Sequence, residues 1–255
     1  MKRVAVYFGM SRSGHHAVMN WMAQQFPGKV DHFNHCYGVG VDADDMRYEG
    51  SFGKCIYRKS LVPDRGTGDS MTIYSIEDFL LRDFDKFKMG AFREVVEADE
   101  VVWVLVVRDH FNWIASCLKK EGMEVSTQQV SRWAGHMRFA NQSSAWVGDY
   151  GLGRSHAVVV NYNQWFVDER YRRELAEALR VPFTDAGKDA IPSYGRGSSW
   201  TEMQFHGRAE EMPVLERWKD YQDDSDYLQW VRDPALCRLT HHYFGDVTNG
   251  VLFDA

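Results

Sequence analysis

Residues 4–16 read VAVYFGMSRSGHH, a short apolar run that passes directly into a turn bracketed by two glycines. Gly9 and Gly14 have the spacing of a phosphate-binding loop (P-loop), in which backbone N–H groups and the positive end of the next helix face a bound oxyanion. Where a nucleoside triphosphatase carries a lysine and a serine or threonine, this chain has His15 and His16. The segment therefore predicts a strand, an anion-binding loop and a helix, without the hydroxyl that holds magnesium.

The loop also carries a cation, Arg12, between its two glycines. Phosphoryl transfer in P-loop enzymes relies on magnesium to neutralise the charge that develops on the phosphates. An anion site that offers an arginine and lacks a metal ligand suits a phosphosulfate donor better than ATP.

Composition limits the remaining choices. The 255 residues carry 30 Lys+Arg against 36 Asp+Glu, a formal net charge of -6, which disfavours a general nucleic-acid-binding surface. Four scattered cysteines form no CxxC pair, so neither a disulfide framework nor a zinc ribbon is expected, and a reducing cytoplasmic location fits. No stretch approaches the roughly 20 apolar residues of a membrane span.

Strand-like and helix-like stretches alternate along the chain, which predicts an α/β fold: three layers, with a central, mostly parallel sheet flanked by helices. We expect one domain covering residues 1–255. Residues 36–74 are rich in glycine and aspartate and show little periodicity, so they are interpreted as a loop-rich insertion. Ser75 is predicted to cap a helix that follows this insertion.

A second candidate anion site follows residues 101–107, whose apolar, mostly β-branched sequence predicts a strand buried on both faces. Arg108 then lies at the carboxyl end of a parallel strand, where open α/β sheets bind ligands. Ser116, two helical turns further on, can face the same crevice. The alternative is that Arg108 pairs with a carboxylate such as Asp109 and that Ser116 is a small packing residue.

These features together resemble the family of sulfotransferases that use 3′-phosphoadenosine 5′-phosphosulfate (PAPS) and release 3′-phosphoadenosine 5′-phosphate (PAP). The family's 5′-phosphosulfate loop usually ends in Ser-Gly-Thr-Thr after a lysine or arginine, and its 3′-phosphate signature is an arginine after a buried strand with a serine eight residues later. The resemblance implies a P-loop NTPase-like sulfotransferase architecture. It also implies that the 5′-phosphosulfate is bound by Ser11, Arg12, Ser13, Gly14, His15 and His16, and the 3′-phosphate by Arg108 and Ser116.

Two weaker similarities extend the resemblance along the chain. Residues 159–163 are similar to the family's strand that ends in a nucleotide-contacting tyrosine, which would be Tyr162. Residues 195–200 resemble its late loop over the 3′-phosphate, which implies binding by Arg196, Gly197 and Ser198. The late loop lacks the family's usual second cation, and the threonine pair of the P-loop is replaced by histidines.

The catalytic roles follow from the chemistry of the donor. Negative charge builds on the bridging oxygen of the leaving nucleotide, and Arg12 is predicted to stabilise it. No metal is expected. The acceptor proton needs a base that titrates near neutrality. The resemblance implies a catalytic histidine near the predicted second strand at 30–33. His35 is preferred because it lies just beyond that strand, and His32 is the alternative. A metal site formed by His32, His35 and Cys36 is disfavoured, since no second ligand pair accompanies them.

The expected partners are the nucleotide donor and an acceptor that offers a hydroxyl or amine. Two other functional classes stay open: a P-loop nucleotide kinase or NTPase with a degenerate loop, and a non-catalytic nucleotide-binding protein. Magnesium dependence separates the first from a sulfotransferase, and turnover of the donor separates the second.

Overall fold

The computed structural model describes residues 1–37, 48–50, 53–79, 97–120, 125–141, 155–191, 200 and 203–252, and within 35–37, 48–50 and 53–58 it describes the backbone alone.

Within these residues, one seven-stranded sheet forms the centre of the fold, in the order β3-β4-β2-β5-β1-β6-β7. Five neighbouring strands, in the order β2-β5-β1-β6-β7, pair in parallel. The strand β4 is antiparallel to β2, and β3 is antiparallel to β4. The predicted mostly parallel sheet is therefore confirmed. The strands are β1 (Lys2–Gly9), β2 (Lys29–Tyr37), β3 (Tyr48–Gly50), β4 (Gly53–Val62), β5 (Ser70–Glu77), β6 (Glu100–Val107) and β7 (Ser155–Asn161).

A helix follows each of β1, β6 and β7, and several helices begin at a side chain that caps the first turn. Asp109 accepts a hydrogen bond from the backbone of Asn112, and Ser126 and Gln129 form a reciprocal capping box. None of the described helices is long and apolar enough to cross a membrane. The helices are α1 (His15–Gln25), α2 (His110–Leu118), α3 (Thr127–Ala140), α4 (Tyr162–Val167), α5 (Glu169–Ala178), α6 (Ser225–Val231) and α7 (Pro234–Phe244), with 3₁₀ segments at Ala209–Glu211 and Arg217–Tyr221.

The alternation of side chains along β1 divides the core into two layers. Val4, Val6 and Phe8 pack on one face of the sheet with residues of α2, α3, α6 and α7. Ala5 and Tyr7 pack on the other face with residues of α1, α4 and α5. Helices therefore cover both faces of the sheet, as the predicted three-layer α/β class requires.

The segment 36–74 differs from its prediction. Where a loop-rich insertion was expected, residues 53–62 form β4 and residues from Ser70 onward form β5. Ser75 is not a helix cap, since it lies inside β5, between β1 and β2. The physical reason is that backbone pairing on both sides and burial of the flanking Tyr74 and Ile76 outweigh the local capping signal.

The parallel strands bring their carboxyl ends to one edge of the sheet. The P-loop follows β1, Asp78 follows β5, Arg108 follows β6 and Tyr162 follows β7. In open α/β sheets this edge is where ligands bind, so the fold places the P-loop, Arg108 and Tyr162 in one region.

We expect the free energy of unfolding to fall in acid, because His110 is buried. Its Nδ1 lies 2.6 Å from Thr240 Oγ1 and its Nε2 lies 3.0 Å from the carbonyl oxygen of Val231. Burial lowers the pKa of His110 to about 4, against the smaller opposing effects of its carbonyl contact, Asp109 and Asp233. In the unfolded chain His110 takes up a proton near pH 6.5, whereas in the folded chain it does so only near its lowered pKa of about 4. The free energy of unfolding should therefore fall by roughly 3 kcal/mol from this group as the pH drops through that window.

Urea unfolding measured between neutral pH and about pH 4 checks this expectation. In His110→Gln the pH slope should become shallower, whereas His241→Gln, which changes an exposed histidine of α7, should keep the wild-type slope. An unchanged slope in His110→Gln would contradict the assignment.

Candidate functional site

The P-loop between β1 and α1 is a tight turn with two residues in the left-handed backbone region. The Ser13 N–H donates to the carbonyl of Met10 at 3.0 Å, and Arg12 and Gly14 have φ angles of 73° and 85°. Only glycine fits at position 14, because a Cβ there would lie 2.2 Å from a ring carbon of Tyr162. The loop backbone is thus packed against the tyrosine that the sequence predicts to contact the nucleotide.

Ser11 fixes the P-loop to the end of β5. Its backbone N–H donates to Asp78 at 2.9 Å, and its hydroxyl lies 2.7 Å from Asp78 Oδ2 and 2.9 Å from Glu77 Oε2. On the other side, the indole N–H of Trp113 donates to the carbonyl of Ser11 at 2.9 Å. The hydroxyl of Ser11 therefore contacts protein carboxylates, and the residue positions the loop between β5 and α2.

Arg108 joins the two predicted anion sites. Its Nη1 donates to the carbonyl of Arg12 at 3.1 Å and to Ser116 Oγ at 3.2 Å, and its Nη2 donates to the carbonyl of Val214. The side chain is 2% exposed and forms no ion pair with any carboxylate of the described residues. Asp109 caps α2 and does not pair with Arg108. The structure thus brings Arg108 and Ser116 together, as their spacing suggested, beside the P-loop backbone.

Arg217 is a third arginine of this region, and no sequence motif predicted it. It comes from the 3₁₀ segment Arg217–Tyr221, and its Nη1 donates to Ser116 Oγ at 2.9 Å. Burial, together with the nearby charges of Arg108 and Arg12, lowers the pKa of Arg217 to about 9, against the opposing effect of Tyr162. Burial also lowers the pKa of Arg12, partly offset by Cys117 and Glu77. Like charges held this close favour a bound anion.

Tyr162 lies between the P-loop and Arg108. Its ring underlies Gly14, and the guanidinium carbon of Arg108 is 5.3 Å from the ring centroid, a cation–π contact. The predicted nucleotide-contacting tyrosine therefore adjoins both candidate anion sites.

The two histidines of the P-loop are turned toward a carboxylate at the end of β5. His15 Nε2 lies 2.9 Å from Glu77 Oε1, and His16 Nε2 lies 3.5 Å from the same oxygen. His16 Nε2 is also 3.2 Å from Asn34 Oδ1 on β2. Glu77 was not predicted as a site residue, because the sequence of this segment carries a helix-cap signal.

The candidate bases occupy β2. His32 is 0% exposed, and its Nε2 lies 3.2 Å from Ser75 Oγ, which in turn donates to Asn34 Oδ1 at 2.5 Å. His32 is thus enclosed in a polar network that reaches His16 through Asn34. The backbone of His35 belongs to β2, and its side chain lies outside the described residues, as do Arg196, Gly197 and Ser198.

Comparison of the sequence with protein-family models and with curated proteins finds no match to either. Function is therefore inferred from the residues gathered at this edge of the sheet.

Proposed function

We propose that the protein is a sulfotransferase that transfers a sulfuryl group from PAPS to a hydroxyl or amine of an acceptor and releases PAP. The observation that carries this proposal is the position of Arg108, a buried guanidinium that bonds to the P-loop backbone and to Ser116. A buried charge is costly unless it is paired, and Arg108 has no carboxylate partner among the described residues. A phosphate of a ligand would supply the missing charge.

Two adjoining anion sites suit a nucleotide with anionic groups at both its 5′ and 3′ positions. In the proposed complex, the P-loop residues 11–16 hold the 5′-phosphosulfate. Arg108 and Ser116 hold the 3′-phosphate, and Arg217 contributes a further charge through its contact with Ser116. Tyr162, which adjoins both sites, contacts the nucleotide between them. The late loop of Arg196, Gly197 and Ser198 completes the 3′ site, as the family resemblance implies.

The transfer step breaks the bond from sulfur to the bridging oxygen of PAPS and forms a bond from sulfur to the acceptor oxygen or nitrogen. Electron density moves to the bridging oxygen, which leaves with PAP. Arg12 stabilises that charge, since its guanidinium forms no hydrogen bond or ion pair with the described residues and is half-buried in the loop. The acceptor proton goes to a base, for which His35 remains the first candidate. His32 is fully enclosed, which disfavours direct contact with an acceptor.

One observation favours the alternative of a P-loop nucleotide kinase or NTPase. Glu77 and Asp78 lie at the end of β5, directly beside β1, and both contact Ser11 of the loop. Carboxylates near a P-loop commonly help to hold magnesium. The loop itself, however, offers no lysine and no hydroxyl at the two positions that such enzymes use.

Thermal unfolding with a panel of nucleotides tests the proposal. PAP in the presence of a chelator should stabilise the protein, by about 2.7 kcal/mol at 100 times its Kd, and ATP at equal concentration should stabilise it much less. The reason is that ATP lacks the 3′-phosphate that Arg108 and Ser116 are proposed to bind. Adenosine 5′-phosphate is the matched control, because it differs from PAP in that group alone.

Equal shifts with PAP and adenosine 5′-phosphate would contradict the 3′-phosphate assignment. A shift with ATP that appears only with magnesium would favour the kinase or NTPase instead. Formation of PAP from PAPS in the presence of an acceptor distinguishes the enzyme from a non-catalytic nucleotide-binding protein.

A further inference from the structure

The P-loop and β5 together form a cluster of metal-ligand groups at the loop that is proposed to hold the 5′-phosphosulfate. His15, His16 and Glu77 each offer one ligand atom, and these three atoms lie within 4.8 Å of one another. Glu77 Oε1 lies 2.9 Å from His15 Nε2 and 3.5 Å from His16 Nε2. The cluster is assembled from two elements, because β5 pairs with β1 and brings Glu77 level with the start of the loop.

These distances match the separation of ligands around one metal ion. Zinc binds imidazole nitrogen at about 2.0–2.1 Å and carboxylate oxygen at about 2.0–2.2 Å. Two ligands at these lengths stand roughly 3.0 Å apart at octahedral angles and roughly 3.4 Å apart at tetrahedral angles. The measured separations from Glu77 Oε1 span the same range, 2.9 to 3.5 Å.

His15 gives a second, independent sign of a ligand. The residue is 3% exposed, and its Nε2 is buried without a hydrogen-bond partner although Glu77 Oε1 is 2.9 Å away. The two atoms are close, but they are not aligned as a hydrogen bond. A metal ion would satisfy the buried nitrogen lone pair of His15.

Neighbouring groups hold the ligand atoms in place, as is common around metal sites. Ser11 Oγ donates to Glu77 Oε2 at 2.9 Å, which leaves Oε1 facing the histidines. Ser13 Oγ lies 3.5 Å from the other ring nitrogen of His15. Asn34 Oδ1, 3.2 Å from His16 Nε2, adds a further oxygen at the cluster.

We propose that His15, His16 and Glu77 bind a divalent transition-metal ion of the zinc class. Two imidazoles and one carboxylate suit Zn²⁺, Co²⁺ or Ni²⁺, whereas Mg²⁺ prefers oxygen ligands alone. With three protein ligands, such an ion keeps at least one position for water or an oxygen of a bound anion. Asp78, which also contacts Ser11, adds a second carboxylate beside the cluster.

The ion would lie at the N-terminus of α1, where the loop faces its anion. It would add positive charge at the positions where a usual P-loop carries a lysine and a hydroxyl-bearing residue. The inference does not depend on the identity of the nucleotide, because the ligand geometry belongs to the free protein.

Metal binding to the full chain, stripped with a chelator and then dialysed, tests the site. Titration with Co²⁺, followed by its visible absorption and by calorimetry, should show about one equivalent bound, and Zn²⁺ should displace it while Mg²⁺ should not. Loss of one protein ligand should weaken Co²⁺ at least about 100-fold, so His16→Gln and Glu77→Gln should lose the signal. His242→Gln and Glu174→Gln, which change exposed residues elsewhere, are the matched controls and should bind as the wild type does.

Binding that survives unchanged in both folded ligand variants would overturn the proposal, as would a wild-type protein that binds no better than those variants. X-ray absorption of the zinc form gives a check that needs no variant: two imidazole ligands are expected, and a spectrum without imidazole would also overturn it. The metal titration contains no nucleotide, so failure of metal binding is a result separate from failure of PAP binding.

Discussion

Replacing Arg108 with alanine should weaken PAP binding by about 30-fold to several thousand-fold while the protein remains folded. Truncating one member of a buried, charge-assisted pair costs about 2–5 kcal/mol, and each 1.4 kcal/mol is tenfold in affinity. Arg108 meets the condition of burial, and it is the residue that links the P-loop carbonyl of Arg12 to Ser116. Calorimetric titration of PAP into the folded variant measures the loss directly.

Two further variants separate the charge from its surroundings. Arg173→Ala removes one exposed arginine of α5 and should leave PAP affinity unchanged, which controls for net charge. Ser116→Ala keeps all three arginines and removes the hydroxyl that Arg108 and Arg217 share, so it should cost only about tenfold or less. Unchanged affinity in a folded Arg108→Ala protein would leave Arg108 with a structural role alone.

The parts of the fold that the sequence predicted are those whose signals are local. The strand, turn and helix at residues 4–16 could be predicted because an apolar run, two glycines and a helical start lie in one short segment. β6 could be predicted because residues 101–107 are all apolar, as is typical of a strand buried on both faces. The proximity of Arg108 and Ser116 could be predicted because both residues lie within the turn and helix that follow that strand.

The residues that the sequence did not reveal reach the site only through tertiary pairing. Glu77 was hidden because Ser75 carried a helix-cap signal, and only pairing with β1 and β2 makes the segment a strand that ends at the P-loop. Without Glu77, His15 and His16 had no third ligand, so no metal site was predicted there. Arg217 belongs to no motif, and it lies 101 residues from Ser116 along the chain.

Arg12→Ala should slow hydrolysis of PAPS by about 10²- to 10³-fold, the usual cost of losing one donor to developing charge, while PAP binding stays comparatively strong. Water serves as the acceptor in this reaction, so PAP formation can be measured before the natural acceptor is known. The split between rate and binding is expected because the guanidinium is proposed to meet full charge on the bridging oxygen only as the bond to sulfur breaks. An interaction made only in the transition state lowers kcat and kcat/KM together and leaves ground-state binding in place.

Two variants sharpen this result. Arg12→Lys keeps a cation in the loop and should retain more of the rate than Arg12→Ala, since a lysine can also give a proton to the leaving oxygen. Arg65→Ala removes an exposed arginine from the turn before β5 and should hydrolyse PAPS at the wild-type rate. If Arg12→Ala weakened PAP binding by the same factor as it lowered kcat/KM and left kcat unchanged, Arg12 would act equally on the bound nucleotide and on the transition state. It would then be a binding residue, and the charge on the bridging oxygen would have to be met by another group at the edge of the sheet where Arg108 and Arg217 already lie.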